Sequence, residues 1–245
     1  DIWVVHVPVP VKTVATAHAD DDFAQYQKLG DLRTWNIYSP LMAPVSLRQE
    51  WLELKDEDPF DYACVERKIP ASSYLKASFD VQAAQTRNGS LQIEFLDEKG
   101  IACTRIELNK EGMIRVKNGA RYGNVMPYQA DQTYRFEATL DTQHRQLNLT
   151  VSTLGADGKA LQSKSTKRIF YAPVHQIERI RFRTGDLRTF PTIDTPADWF
   201  GTLEHAGDTD TTALYRIAHV KTVSLDADAG SAVLKTADYK HYVDD

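Results

Sequence analysis

The feature that most restricts the fold is a two-residue alternation of apolar and polar side chains in the middle of the chain. In LKASFDV (75–81), Leu75, Ala77 and Phe79 alternate with charged or hydroxyl residues, and the pattern recurs in LQIEFL (91–96), YRFEATL (134–140) and LNLTV (147–151). Successive residues of a β-strand point to opposite faces of its sheet, so this alternation predicts strands with one buried face. No stretch keeps a helical period for more than about two turns. We therefore predict an all-β fold.

Polar segments that contain glycine separate the alternating stretches. They are RNGS (87–90), DEKG (97–100), NKEG (109–112), KNGA (117–120) and GADGK (155–159). Glycine and asparagine accept the positive φ angles of tight turns, so these segments predict hairpins and an antiparallel sandwich or jelly roll. The stretch DDDFAQYQKLGDL (20–32) is the best candidate for a helix, and we expect a short one that ends at Gly30.

The composition is that of an acidic globular chain with few cysteines. A net charge of −5 over 245 residues gives no basic excess, so we predict no nucleic-acid partner. No apolar stretch approaches the roughly 18–20 residues of a membrane-spanning helix. Cys64 and Cys103 lack the spacing of a metal site. We expect both to be buried thiols, and a single disulfide between strands is the alternative.

Both ends of the chain and one internal segment depart from the alternation. Residues 1–12 are apolar on both faces, and residues 186–212 lack periodicity over a length far beyond a usual loop. We predict a linker strand at 1–18 that leaves a preceding domain, a β-sandwich at 19–224, and an extension at 225–245 toward a further domain. Under this prediction the chain is one module of a longer protein.

Several segments resemble one family of glycan-related modules. DLRTWNIYSPLMAPVSLRQEWLELKDEDPFDYACVERKIP (31–70), RFRTGDLRTFPTIDTPAD (181–198) and ALYRIAHVKTV (213–223) resemble the concanavalin-like β-sandwich found beside sialidase-like (BNR-repeat) β-propellers in secreted bacterial glycoside hydrolases. The opening DIWVVHVPVPV (1–11) is similar to the closing strand of such a propeller. The resemblance implies a jelly roll of concanavalin A-like lectin/glucanase type and a secreted, periplasmic or cell-surface location. It also implies that neighbouring domains of the same chain are partners.

The chain lacks the catalytic motifs of the enzyme classes to which this resemblance points. It has no Asp-box of the form S-x-D-x-G-x-x-W, and neither the E-x-D-x-x-E nor the E-x-D-x-E motif of laminarinase-type sandwiches. Glu94 lies on a predicted strand, but Asp97 and Glu98 fall in the following turn. HQIER (175–179) has the residues of the QIH motif of sandwich-fold lyases in a different order. We therefore assign no catalytic residue.

One predicted strand carries a stripe of arginines. Arg179, Arg181 and Arg183 alternate with apolar residues, so their guanidiniums project from one face. Arginine binds carboxylates through two parallel hydrogen bonds, and acidic sugars carry such groups. The alternative is a solvated outer face on which acidic residues of neighbouring strands neutralise the stripe.

The segment 186–212 combines aromatic and acidic residues. An exposed Trp199 or Phe190 offers a flat apolar surface on which a sugar ring can stack. We predict a carbohydrate-binding site made of Trp199, Phe190, Arg181, Arg183, Asp194 and Asp198. Clustered carboxylates also suit Ca²⁺, although no EF-hand spacing is present, and we predict no other cofactor. The alternative is that the segment caps the sandwich or packs against a neighbouring domain.

Two further groups contain residue types that can act in catalysis. The acids at 56–61 can form a pair that divides acid and base roles, or their side chains can cap the amides of a turn. We expect His219 to be a core or rim histidine rather than a general base. The leading hypothesis is an accessory carbohydrate-binding or structural module of a larger secreted glycan-degrading protein. The alternatives are a sandwich that is itself a glycoside hydrolase or polysaccharide lyase, and a spacer without a ligand.

Overall fold

The computed structural model describes residues 14–15, 17–58, 61–185, 212–226 and 233–234. Its strands are β1 (Val14–Ala15), β2 (Asp20–Asp21), β3 (Trp35–Tyr38), β4 (Val45–Arg48), β5 (Trp51–Asp56), β6 (Cys64–Ser72), β7 (Tyr74–Ala83), β8 (Leu91–Leu96), β9 (Ala102–Leu108), β10 (Met113–Asn118), β11 (Arg121–Pro127), β12 (Thr133–Asp141), β13 (Gln146–Leu154), β14 (Ala160–Ile169), β15 (Ile177–Thr184), β16 (Ala213–Ser224) and β17 (Val233–Leu234). Within these ranges, the helical elements are two short 3-10 turns, Phe23–Gln25 and Leu29–Asp31.

The strands form two large antiparallel sheets. One has seven strands in the order β11-β10-β9-β8-β15-β6-β3. The other has eight, in the order β14-β13-β12-β7-β16-β5-β4 with β2 also paired to β16. Late strands return to lie between much earlier ones, since β15 separates β8 from β6 and β16 separates β7 from β5. The predicted antiparallel sandwich is confirmed.

Aromatic side chains from both sheets meet between the layers. Phe79 and Phe136 of the eight-stranded sheet stack with ring centroids 5.3 Å apart, and Phe182 of the seven-stranded sheet meets Phe79 edge-on at 5.2 Å. Trp35 extends the cluster at 6.3 Å from Phe182. All four are buried, and burying one large apolar side chain contributes about 1.5–3 kcal/mol. This core fixes which residues of each strand face outward.

The alternation in the sequence corresponds to burial in the structure. In β12, Tyr134 and Phe136 are buried, whereas Arg135 and Glu137 face outward. Each of the five predicted turns contains a glycine with positive φ, such as Gly119 at 59° between β10 and β11. The strands and turns predicted in the middle of the chain are therefore confirmed.

The helix predicted at 20–32 is wrong. The chain forms two separate 3-10 turns there, and Gly30 lies inside the second turn rather than at a helix end. Aspartate side chains supply local hydrogen bonds that compete with a helix. Asp22 accepts from an amide of the first turn at 3.1 Å, and Asp31 accepts from two amides ahead of the second turn at 3.3 and 3.2 Å.

Both cysteines are buried and free, as predicted. Cys64 lies on β6 and Cys103 on β9, and strands β15 and β8 separate them, so the alternative of a disulfide is wrong. Burial raises the pKa of Cys64 to about 12. Its thiol therefore stays protonated and unreactive at neutral pH.

Candidate functional site

An open groove crosses the outer face of the eight-stranded sheet, where β7, β16, β5 and β4 lie side by side. Its volume is about 570 Å³, and its lining is Arg48, Gln49, Trp51, Glu53, Gln82 and Arg216. We call it the Trp51 groove. Trp51 is half-buried at the start of β5 and is the one aromatic residue of the lining.

Strand pairing brings the polar side chains of the groove together. Arg216 on β16 lies opposite Glu53 on β5 and Gln82 on β7. Its Nε donates to Glu53 Oε1 at 2.8 Å, and its Nη1 donates to Gln82 Oε1 at 2.7 Å. Arg48 Nε lies 3.0 Å from the second oxygen of Glu53. These contacts hold the planar groups in fixed orientations around Trp51.

This arrangement suits a ring that carries hydroxyl groups. A half-buried indole offers a flat apolar surface, and the surrounding guanidinium, carboxylate and amide groups offer both donors and acceptors. Arg48 and Arg216 both contact Glu53, and Arg216 also lies 3.8 Å from the carboxylate of Asp131, so two positive charges meet two negative ones. The groove therefore favours a neutral polar ligand.

Trp51 was not among the predicted site residues, although the sequence pattern indicates that it faces outward. In WLELK (51–55), Trp51 and Glu53 alternate with two leucines, which the structure buries completely. The partner of Glu53 was not readable, because Arg216 is 163 residues away in sequence. Only the insertion of β16 between β5 and β7 creates the groove.

The predicted arginines lie on the outer face of the other sheet. Pairing places Arg181 in one row with Glu66 on β6, Glu94 on β8 and Arg105 on β9. Arg181 Nε donates to Glu94 Oε2 at 2.8 Å, and Arg105 Nε donates to Glu94 Oε1 at 2.7 Å. Burial alone would raise the pKa of Glu94, but the two guanidiniums hold it below its ordinary value. Glu94 is therefore an ionised partner of both arginines.

Arg179 and Arg183 have different surroundings. Arg179 Nη1 donates to Glu66 Oε1 at 3.1 Å, and both side chains are buried. The guanidinium of Arg183 lies 3.8 Å from the centre of the Tyr62 ring. Arg179 and Arg181 thus have the glutamate partners that the alternative interpretation describes, whereas no carboxylate of the described residues forms an ion pair with Arg183.

The other predicted ligand residues, Phe190, Asp194, Asp198 and Trp199, lie outside the described residues, so that site stays a prediction. The calcium prediction rests on the same segment and also stays a prediction. In the part of the chain that the structure describes, no group of three or more His, Cys, Asp or Glu side chains is placed to hold a metal ion. No helix of that part is long and apolar enough to cross a membrane.

The acids of 56–61 make turn contacts. Asp56 Oδ1 accepts from the amide of Asp58 at 3.0 Å, and Asp58 Oδ1 accepts from the amide of Asp61 at 3.2 Å. The capping interpretation is therefore confirmed. His219 is exposed at an irregular point of β16 rather than in the core.

Comparisons with known proteins give one family match and several similar solved structures. A family model described as "Sialidase-like, CBM domain" matches residues 35–199. A solved structure named "Sialidase" is 54% identical with a TM-score of 0.73, and the match covers 95% of this chain but 21% of that chain. The chain thus spans about a fifth of that relative. No curated protein has a matching sequence.

Two more distant structures share the fold. An apo Crh5 transglycosylase matches with a TM-score of 0.53 and 15% identity over 88% of this chain and 89% of that one. The GH131 β-glucanase catalytic domain from Podospora anserina matches with a TM-score of 0.52 and 12% identity over 84% and 95%. At such identities the likeness concerns the fold alone. The predicted concanavalin-like jelly roll is confirmed.

Proposed function

Since the chain belongs to the family of sialidase-like CBM domains, we propose that it is an accessory carbohydrate-binding module of a longer glycan-degrading protein. The 54%-identical sialidase, of which the match covers 21%, supports a place within a larger chain. The proposal includes a sialidase-like BNR-repeat propeller as neighbour and other domains of the same chain as partners. It also includes a secreted, periplasmic or cell-surface location, where extracellular glycans are met.

The observation that carries the proposal is the Trp51 groove. A sugar ring stacks on the indole, and its hydroxyls bond to Arg216, Glu53 and Gln82. These three side chains already hold one another through bonds of 2.7–2.8 Å, so ligand binding orders few new rotamers. Such preorganisation reduces the entropic cost of binding.

The surroundings of Glu94 on β8 do not suit the general acid of a glycosidase. A general acid of a glycosidase needs a raised pKa. Burial would raise the pKa of Glu94, but Arg181 and Arg105 stabilise its charged form and hold the pKa below its ordinary value. Its two oxygens are also occupied by these arginines.

The proposal is tested by a glycan-array screen of the purified chain, with calcium and with chelator, followed by calorimetry on the best ligand. We expect Trp51→Ala to weaken binding at least about tenfold, or about 1.4 kcal/mol, because the stacking surface is lost. Trp51→Phe should retain part of the affinity. Tyr74→Ala is the matched control, since it removes an aromatic ring that is 40% exposed elsewhere on the same sheet.

Three outcomes separate the hypotheses. Loss of glycan binding in Trp51→Ala, together with normal binding by Tyr74→Ala, supports the Trp51 groove as the binding site. Normal binding by Trp51→Ala together with loss in Trp199→Ala would move the site to the predicted segment 186–212. Silence of the wild-type chain across a broad array would reject the binding function and favour the spacer alternative.

A further inference from the structure

A second surface carries chemistry that the Trp51 groove does not use. Five arginines lie on the outer side of the seven-stranded sheet, four of them partly exposed and Arg179 buried against Glu66, and we call them the arginine face: Arg105, Arg115, Arg179, Arg181 and Arg183. The cross-strand rows that hold them contain three glutamates, Glu66, Glu94 and Glu107. Positive charge therefore exceeds negative charge in these rows, in a chain whose net charge is −5.

Two members of the arginine face share one carboxylate. Arg105 and Arg181 share Glu94, with contacts of 2.6 and 2.5 Å to its two oxygens. One carboxylate between two guanidiniums neutralises only one of them. Arg115 pairs with Glu107, and its guanidinium also lies 4.4 Å from the centre of the Tyr122 ring.

Arg183 is the member of the face that is best prepared for an external anion. Its guanidinium stacks on Tyr62, and its Nε is buried without a hydrogen-bond partner among the described residues. A stacked guanidinium has its plane fixed, which leaves the fork geometry ready for an oxyanion. A buried donor without a partner is unfavourable, so a ligand oxygen that reaches it removes this penalty.

The spacing of the face points to an extended ligand. Arg183, Gln92, Glu107 and Arg115 form one row across β15, β8, β9 and β10. Strands lie about 4.8 Å apart, so the three steps between the stacked guanidiniums of Arg183 and Arg115 amount to about 14 Å. Arg181 and Arg105 lie in the adjacent row. The positive charge thus runs perpendicular to the strands.

We propose that the arginine face binds a linear acidic polysaccharide, with the carboxylates or sulfates of successive units placed along this row. One oxyanion takes the fork of Arg183, and others meet the group formed by Arg105, Arg181 and Glu94 and the partly exposed guanidinium of Arg115. The site lies on the opposite sheet from the Trp51 groove, so this proposal stands independently of the proposed groove function. The narrow row and the acidic remainder of the chain favour a single polysaccharide strand over duplex DNA.

The test uses the purified chain and four polymers: polygalacturonate, which carries carboxylates; dextran sulfate, which carries sulfates; neutral dextran; and duplex DNA. Biolayer interferometry in the presence of a chelator, at 50 and at 300 mM salt, measures the affinity of the chain for each polymer. We expect binding to at least one acidic polysaccharide that weakens with salt, and none to dextran. Arg183→Gln should weaken that binding at least about tenfold, since it removes a charge-assisted contact.

Matched variants keep the test specific. Arg145→Gln removes one positive charge from the exposed β12–β13 turn and should bind like wild type. Arg183→Lys keeps the charge but loses the fork, so intermediate affinity is expected. Near-ultraviolet circular dichroism confirms that each variant is folded. Trp51→Ala should bind the acidic polymers normally, which separates this site from the groove.

Several results would overturn the proposal. Equal losses in Arg183→Gln and Arg145→Gln would mean that net charge alone attracts the polymer. Binding of DNA as tight as that of both acidic polysaccharides would assign the face to polyanions in general. No binding to polygalacturonate or dextran sulfate at low salt would remove the site. The relative affinities of these two polymers decide between carboxylate and sulfate as the recognised group.

Discussion

Asp56 is a carboxylate that the fold buries completely without an ion pair among the described residues. Burial raises its pKa to about 6, even though Thr184 and the amide of Asp58 donate to it. The ordinary pKa of an aspartate in an unfolded chain is about 3.9, so the folded state binds this proton more tightly. The resulting contribution to stability is fully present below about pH 4 and is lost as the pH rises through about 6.

We therefore expect Asp56→Asn to stabilise the protein at pH 7.5 more than at pH 4.5. The neutral amide avoids the buried charge, and the Thr184 hydroxyl can rotate to accept from it. By calorimetry, we expect the gain in Tm at pH 7.5 to exceed the gain at pH 4.5 by about 2–4 °C. This is the shift that about 1 kcal/mol gives in a chain of this size. Asp20→Asn is the control, because Asp20 is exposed in a surface pair with Lys221. A gain in Tm that is equal at both pH values would contradict the burial argument.

At the scale of elements, one side chain fastens the end of β16 to the β6–β7 hairpin. Asp226 accepts from the Ser73 amide at 2.6 Å, from the Ser73 and Ser72 hydroxyls at 2.7 and 2.9 Å, and from the Tyr74 amide at 3.2 Å. Burial would raise the pKa of Asp226, but these donors hold it below its ordinary value. The carboxylate is thus an ionised clamp where the last large strand leaves the sandwich.

Replacing this clamp should loosen one corner of the fold without melting the core. We expect Asp226→Ala to cost about 1–3 kcal/mol of unfolding free energy, because several donors lose a charged acceptor. Hydrogen exchange of the Ser73 and Tyr74 amides should accelerate, while that of Phe136 in the core stays as in wild type. Asp226→Asn keeps one acceptor oxygen, so its unfolding free energy should lie between those of the wild type and Asp226→Ala. Unchanged exchange at Ser73 would show that the hairpin does not depend on the clamp.

The individual strands and turns could be predicted from the sequence. The alternation from Leu75 to Phe79 predicts a strand, and a turn glycine such as Gly119 predicts a hairpin, because both patterns depend on local geometry. The aspartate-rich stretch at 20–32 misled because helical period and Asx hydrogen bonding compete over the same few residues. The Trp51 groove and the partners of Arg181 depend on which distant strands become neighbours, and no local pattern encodes that register.

At the scale of the whole molecule, the two proposed sites occupy opposite outer faces of one sandwich. Between them lies a packed layer in which Phe79 and Phe182, from different sheets, are in contact at 5.2 Å. Packed interiors deform little, and stacked sheets lie about 10 Å apart, so a ligand on one face cannot reach the other. A glycan with neutral and acidic segments can engage both faces only by passing around an edge. Its avidity would then depend on the length of the intervening segment.

This separation predicts that the two sites bind independently. Saturating the Trp51 groove with its neutral glycan should leave the Kd for the acidic polysaccharide unchanged within about twofold, since coupling requires a two-state element that both ligands bias. In ¹⁵N-labelled protein, the neutral ligand should shift amides of β5 and β16, and the acidic ligand those of β15 and β8. Linkage requires any coupling to be reciprocal, so both orders of addition are measured. A reciprocal change of fivefold or more, or a shared set of shifted amides, would mean that the ligands compete for one site and that one of the two assignments is wrong.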